Sequence, residues 1–162
     1  NAFDATLGRT SAVLPVGQLI DSVRVDLIDL LDRADSLFSG SQSELKSDWL
    51  VLLRSQKVRI SELGLLGRRL VALLVARLGS TSEAALYLKI ATLEKAGTVA
   101  PWICGYLHVL RHLGNEAAHN EPESDRIPAY VEEGDLGLAL LCVERLVRFA
   151  SSIDLNSASS TH

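Results

Sequence analysis

Methionine is missing from this 162-residue chain altogether, the initiator included. The sequence therefore reads as a processed chain or as a segment of a longer protein. Aromatic residues supply only 5% of it, while hydrophobic residues, mostly Leu, Val and Ala, supply 48%. That balance suits one domain with a real core, built from helices packed on helices. Cysteine is nearly absent: Cys104 and Cys142 stand far apart with no C-x-x-C spacing. A disulfide framework is excluded, and the two thiols suit small buried hydrophobes in a reducing cytoplasm. No apolar run reaches the roughly 18 residues of a membrane span. The early stretch from Val13 to Ile20 is interrupted by Pro15, Gly17 and Gln18, and it carries no signal-peptide pattern. No membrane partner is expected.

An excess of positive charge is also lacking. The formal net charge is −4, which excludes a globally basic nucleic-acid binder. The charge is nevertheless segregated. From Leu45 to Arg77 there are seven basic residues (Lys46, Arg54, Lys57, Arg59, Arg68, Arg69, Arg77) against the acidic Asp48 and Glu62. That segment can present a local positive surface, or its charges can be the solvated face of ordinary helices.

Residues 1–16 show no periodicity and read as a flexible arm or linker. Helical spacing then begins, with Leu19, Val23, Leu27, Leu30, Leu31 and Phe38 on one side of a helix from about Gly17 to Phe38. Asp21, Asp26, Asp29, Asp32 and Asp35 make its other side acidic, and Ser39-Gly40 stops it. Ser41 and Glu44 have capping-box spacing. The apolar set Leu45, Trp49, Leu52, Ile60, Leu63, Leu66, Leu70, Leu73 and Leu74 follows. Residues 41–78 are one long helix or two with a break near Ser55–Lys57, and periodicity alone leaves a short strand over Trp49–Leu53 open. Gly64 and Gly67 weaken a helix but let another approach closely. Gly79 ends this region, and Ser80 with Glu83 repeats the capping pattern. A helix from about Thr81 to Ala96 turns Leu86, Ile90 and Leu93 inward and stops at Gly97.

Pro101 suits the first turn of the next helix, which runs to about Ala118. Residues 120–134, with Pro122, Pro128 and many acids, read as an acidic loop. Glu132, Glu133 and Asp135 read as a helix-start cluster rather than a catalytic pair. A final helix from about Gly134 to Ser152 buries Leu136, Ala139, Leu140, Val143, Leu146 and Val147. The Ser/Asn-rich stretch 154–162 reads as a disordered tail. The predicted architecture is all-α, a bundle of about five helices over residues 17–153.

Chemistry concentrates on one helix face. At about 100° per residue, Arg111, Asn115 and His119 fall within roughly 80° of each other, and His108 and His112 join the stripe. Leu110, Leu113, Gly114 and Ala117 point the other way. Arg111 offers a planar fork of donors for a phosphate. His119 is the candidate acid or base, since imidazole titrates near neutral pH. Asn115 between them can orient the imidazole or bind a ribose or base edge. Together they have the groups for metal-free RNA cleavage: His moves the proton and Arg stabilises charge developing on the phosphoryl group. The plainer reading pairs Arg111 with an acidic neighbour and leaves Asn115 and His119 to close the helix.

No metal and no cofactor are expected. Cys104, His108 and His112 stand at i, i+4 and i+8, and an i, i+4 pair can share a zinc. Three such ligands span about 12 Å of helix, too far for one ion. The sequence has no phosphate-binding P-loop, no dinucleotide fingerprint and no G-x-S-x-G nucleophile elbow.

The run from Leu66 to Leu78, the Ser80 capping pattern, the short helix ending at Gly97, the string from Leu110 to His119 and the final apolar helix together resemble the HEPN superfamily. The resemblance covers about residues 60–150 and rests most on Gly114-Asn115-Glu116-Ala117-Ala118-His119. The closest branch is an uncharacterised prokaryotic one of helical domains appended to restriction, anti-phage or toxin-type proteins. It implies an all-α bundle that often dimerises and that cleaves RNA or binds RNA or nucleotides. Active members carry Arg, four to six residues, then His, frequently with a polar residue directly after the Arg. His119 matches the His and Asn115 the polar residue, but the Arg position falls on Gly114. Arg111 lies one turn earlier. The expectation is a non-catalytic module of a larger defence-related or regulatory protein, a homodimer that binds RNA or a nucleotide with Arg111, Asn115, His119, His108, His112, Arg68 and Arg69. A metal-independent ribonuclease using Arg111, Asn115 and His119 is the alternative from the enzyme class. A protein-interaction scaffold with no nucleotide site is the third reading.

Overall fold

The computed structural model describes the backbone of residues 16–55, 58–79, 84–119 and 132–159, and their side chains except those of 16–19, 118, 119, 133 and 154–159. Within these residues the chain forms six α-helices and no strand: α1 (Val16–Arg33), α2 (Ser43–Arg54), α3 (Ile60–Arg77), α4 (Leu86–Lys95), α5 (Pro101–His119) and α6 (Glu133–Ser159). A single 3₁₀ turn, Gly40–Gln42, precedes α2. The fold is all-α, as the periodicity predicts. The segment 41–78 is two helices, and Trp49–Leu53 belongs to α2 rather than to a strand.

The pairing of α3 with α5 is the most extensive in the bundle. Helix α6 packs along α1 and reaches α5, α4 closes another side of α5, and α2 bridges α1 and α3. The core is aliphatic. Leu27, Leu31, Leu63, Leu70, Leu107, Leu110 and Leu140 are fully enclosed with Trp49. Among the described residues no polar or charged side chain is buried. Any chemistry these residues perform is therefore chemistry of the surface.

Local signals set the helix ends where the backbone could obey them. Gly97 has φ +70°, a left-handed conformation that glycine adopts without strain. Its N–H donates to the Glu94 carbonyl at 3.0 Å, and that of Thr98 to the Leu93 carbonyl at 3.3 Å. These are the two bonds of a Schellman stop. At the start of α6, the Glu132 N–H donates to the Asp135 carboxylate at 2.8 Å, so the acidic cluster caps the helix as predicted.

Other expectations need correction. Ser41 does not cap α2. It lies inside the 3₁₀ turn, Gln42 takes the cap position, and no side chain bonds the helix start. Helix α1 ends at Arg33, five residues before Phe38, yet Leu37 and Phe38 still enter the core from the connecting turn. The last helix, expected to end near Ser152, continues as helical backbone to Ser159. The pattern at Ser80 and Glu83, most of the acidic stretch 120–134 and the arm 1–15 lie outside the described residues.

Most of the basic segment is structural. Arg24 of α1 donates through Nε to the Leu53 carbonyl at 3.0 Å and through Nη2 to Leu53 and Ser55, capping the end of α2. Lys46 reaches Asp35 at 2.8 Å, Arg54 lies 3.8 Å from Asp32, and Arg69 meets Asp48 at 2.9 Å. Arg77 donates to the carbonyls of Ser36 and Leu37 at 2.7 and 3.0 Å. These contacts tie α1, α2 and α3 together and use charge that the sequence left available for a ligand.

Candidate functional site

The site is built where α5 meets α3 and α4. The α3–α5 crossing is made by glycines. A Cβ placed on Gly114 would stand 2.8 Å from the Gly64 carbonyl oxygen and 2.7 Å from Arg68 Cβ. One placed on Gly64 would stand 2.7 Å from the Leu113 carbonyl oxygen and 2.6 Å from Ala117 Cβ. Each helix thus lays backbone against backbone of the other, which only missing side chains permit. This fixes the facing of α5. Leu110, Gly114 and Ala117 are buried toward α3, and the polar stripe is turned out along the flank.

On that flank Arg111 is half-buried and organises its neighbours. Its Nε donates to His108 Nδ1 at 3.2 Å, and its Nη2 lies 2.9 Å from His112 Nε2. A guanidinium has no lone pair to offer, so both imidazole nitrogens accept. The Arg111 Cζ stands 6.0 Å from the centroid of the Tyr87 ring of α4, at the edge of cation–π range. Among the described residues Arg111 makes no ion pair with a carboxylate, whereas Arg69, Arg54 and Lys46 each have one. The expectation that it pairs with an acidic neighbour is not met there.

Burial holds the His108 imidazole below its usual range, and the positive charge of Arg111 pushes the same way. Glu94 of α4 opposes both. Burial likewise raises the Cys104 thiol, with the Glu94 charge adding to it, and pushes Cys142 up to about 11. Neither thiol has the thiolate character of a nucleophile.

The predicted site residues are therefore only partly gathered. His108, Arg111 and His112 touch. Asn115 is half-buried one turn further along the same stripe. His119 is the last residue of α5, and its side chain lies outside the described residues. The helix runs unbroken from Arg111 to His119, so the two are separated by about 12 Å along the axis. Arg68 packs its Cβ under Gly114 and is otherwise exposed. The Arg69 guanidinium is on the α2 side with Asp48, and both arginines line an open groove of about 670 Å³ between α2 and α3.

Tyr87 and Glu94 were missed by sequence reasoning. They stand seven residues apart on α4, two turns and the same side, and that spacing was the available signal. Among the described residues no three His, Cys, Asp or Glu side chains converge as metal ligands would. No helix among the described residues is long and apolar enough to cross a membrane.

No family model, no curated protein and no solved structure matches the chain.

Proposed function

We propose that this chain is a HEPN-like helical module that binds RNA or a nucleotide, without cleaving it, as part of a larger prokaryotic defence-related or regulatory protein. The observation that carries the reading is Arg111. Its guanidinium is held in place by two imidazole acceptors and an aromatic ring, with no carboxylate to neutralise it among the described residues. A phosphate oxygen is a stronger acceptor than a neutral imidazole and can take over those donors. The neighbouring Arg68 adds a second cation with no ion pair among the described residues, and Asn115 a polar group for the sugar or base.

The non-catalytic form is favoured over the ribonuclease by two features. Gly114, which stands where the resemblance asks for the arginine, is enclosed against Gly64 and Arg68, so no side chain could leave that position for solvent. Arg111 stays a full two turns from His119 on one continuous helix. Association as a homodimer follows from the resemblance, and a reducing cytoplasm agrees with two free, buried cysteines.

The test is binding of a short single-stranded RNA at low salt, followed as salt is raised. Arg111→Ala is expected to weaken binding about tenfold and to lower the salt slope by about one. No binding by the unaltered chain at low salt refutes the reading. Cleavage of the RNA in EDTA that disappears with His119→Ala would restore the ribonuclease in its place. Light scattering that finds a concentration-independent monomer removes the dimer.

A further inference from the structure

The bond between Arg111 Nε and His108 Nδ1 can exist only while that imidazole nitrogen is unprotonated. Protonating His108 at Nδ1 breaks the bond and sets two cations against each other. The converse holds as well. An anion that accepts from the Arg111 guanidinium competes for its donors and frees His108. It also stabilises a proton on the released imidazole, which turns from acceptor to donor and can then bond the same anion. His112, whose Nε2 also accepts from Arg111, stands on the other side of the guanidinium. Resting on the RNA or nucleotide reading given above, we infer that this cluster is the site of a terminal phosphate monoester on a nucleotide, taken up together with a proton on His108, with the base against Tyr87.

Charge selects the monoester over an internal phosphodiester, and Tyr87 serves the base. A monoester carries a charge of about −1.5 to −2 near neutral pH and three strong acceptor oxygens. Arg111 and a protonated His108 together match that charge, whereas Arg111 alone matches the single charge of a diester. Half of the Tyr87 surface is open, at 51% exposure, beside the guanidinium. Bases stack on such rings without regard to sequence.

The surroundings of His108 bear on the proton. From α4 it faces Glu94, whose charge favours the protonated imidazole, and Tyr87 borders the same cluster through Arg111. From α5 it faces Arg111, whose charge disfavours protonation, and His112 beside it, with Cys104 one turn back in the core. Among the described residues helix α3 places Arg68 at the level of Gly114, and α6 meets α5 through apolar residues such as Leu146 near Ile103 and Leu107. Without a ligand the balance keeps His108 neutral, since burial and the Arg111 charge outweigh one exposed carboxylate. A bound phosphate reverses it. The contribution of His108 to affinity is therefore largest below the midpoint of the free imidazole and declines as pH rises through the midpoint of the occupied one.

The experiment follows the His108 ring by NMR through a pH titration of the full chain, alone and saturated with 5′-AMP. Adenosine and the dinucleotide ApA, whose only phosphate is a diester, serve as comparisons. Reading the imidazole itself keeps the ligand's own ionisation out of the result. 5′-AMP is expected to raise the His108 midpoint by about one unit, which is about a tenfold gain in affinity from the proton on His108. ApA and adenosine are expected to leave the midpoint in place. Arg111→Gln should abolish 5′-AMP binding with the helical circular dichroism intact, and His108→Asn should remove the coupling to pH.

An unmoved midpoint at saturation overturns the inference, as does ApA moving it equally or a pH coupling that survives His108→Asn. Binding of a short RNA with hydroxyl ends in the absence of any 5′-AMP binding also overturns it, yet leaves the RNA-binding reading standing. Failure of both ligands at low salt removes the two together.

Discussion

Replacing Gly114 by alanine puts one methyl group into the tightest contact between α3 and α5. The new carbon would stand 2.8 Å from the Gly64 carbonyl oxygen and 2.7 Å from Arg68 Cβ. Ordinary contact begins near 3.4 Å. Neither neighbour is the free end of a flexible side chain, so the helices must separate by about 0.6 Å at the crossing, against a core packed to near-crystalline density. Overpacking of this kind costs about 1–3 kcal/mol. Alanine returns up to about 1 kcal/mol through its better helix propensity. The net expectation is a loss of about 1–2 kcal/mol, which for a chain of this size lowers Tm by about 2–8 °C.

Gly105 supplies the internal control. It sits on the same helix, is exposed, and has nothing within 4 Å of a built Cβ. Gly105→Ala should stabilise by about 0.5–1 kcal/mol. Both variants are measured by urea denaturation and thermal melting. If Gly114→Ala stabilises as much as Gly105→Ala does, the backbone-on-backbone crossing is wrong. Gly64→Ala probes the same contact from the other helix. The double variant should lose less than the sum of the singles, because helices already parted by one methyl accommodate the second more easily.

Four further outcomes follow. Arg24→Met removes the charged donor that caps α2 at Leu53 and Ser55, and should lower stability by about 1.5–3 kcal/mol in urea denaturation. Cys104 and Cys142 should resist a thiol reagent such as DTNB at pH 8 in the native chain and react fully once it is unfolded, because burial raises both thiols. Trp49 is fully enclosed and Trp102 is 62% exposed, so Trp102→Phe should leave a blue-shifted emission that acrylamide barely quenches. His108 has its titration lowered from the unfolded value of 6.5, so the folded state disfavours the proton. Its contribution to stability is present above pH 6.5 and is lost as pH falls from there through the depressed folded value, a slope that His108→Asn should remove from the pH profile of denaturation.

Much of the fold was legible because helix faces follow from spacing alone. Val23, Leu27, Leu30 and Leu31 in α1, and Ala139, Leu140, Val143, Leu146 and Val147 in α6, are buried as their periodicity requires. The Gly97 stop was legible for the same local reason. The Ser41–Glu44 cap was not, since a 3₁₀ turn at Gly40–Gln42 shifts the helix entry past Ser41. The break between α2 and α3 was one of two options, and only the closure of α2 onto α1 and α3 selects it.

The candidate site was half legible. Helical geometry alone put His108, Arg111, His112 and Asn115 on one stripe. It could not say what Arg111 would bond, because a long cation finds its partner through whichever helix arrives beside it. Tyr87 arrives from α4 in the folded chain, and no carboxylate among the described residues pairs with the guanidinium. Arg69 went to Asp48 on α2 for the same reason, although its spacing next to Arg68 looked equally suited to a ligand.

By itself, the sequence determined the class of the fold, the inward faces of its helices and the residue types available on the outward face of α5. Those depend on the chain's own 3.6-residue period and on local backbone preferences. The tertiary structure decided how the charges are spent and why Gly114 is glycine. The first is a matter of which helices become neighbours. The second is a matter of how close two backbones come, here a carbonyl oxygen 2.8 Å from where a methyl group would stand, a distance that no pattern along one chain encodes.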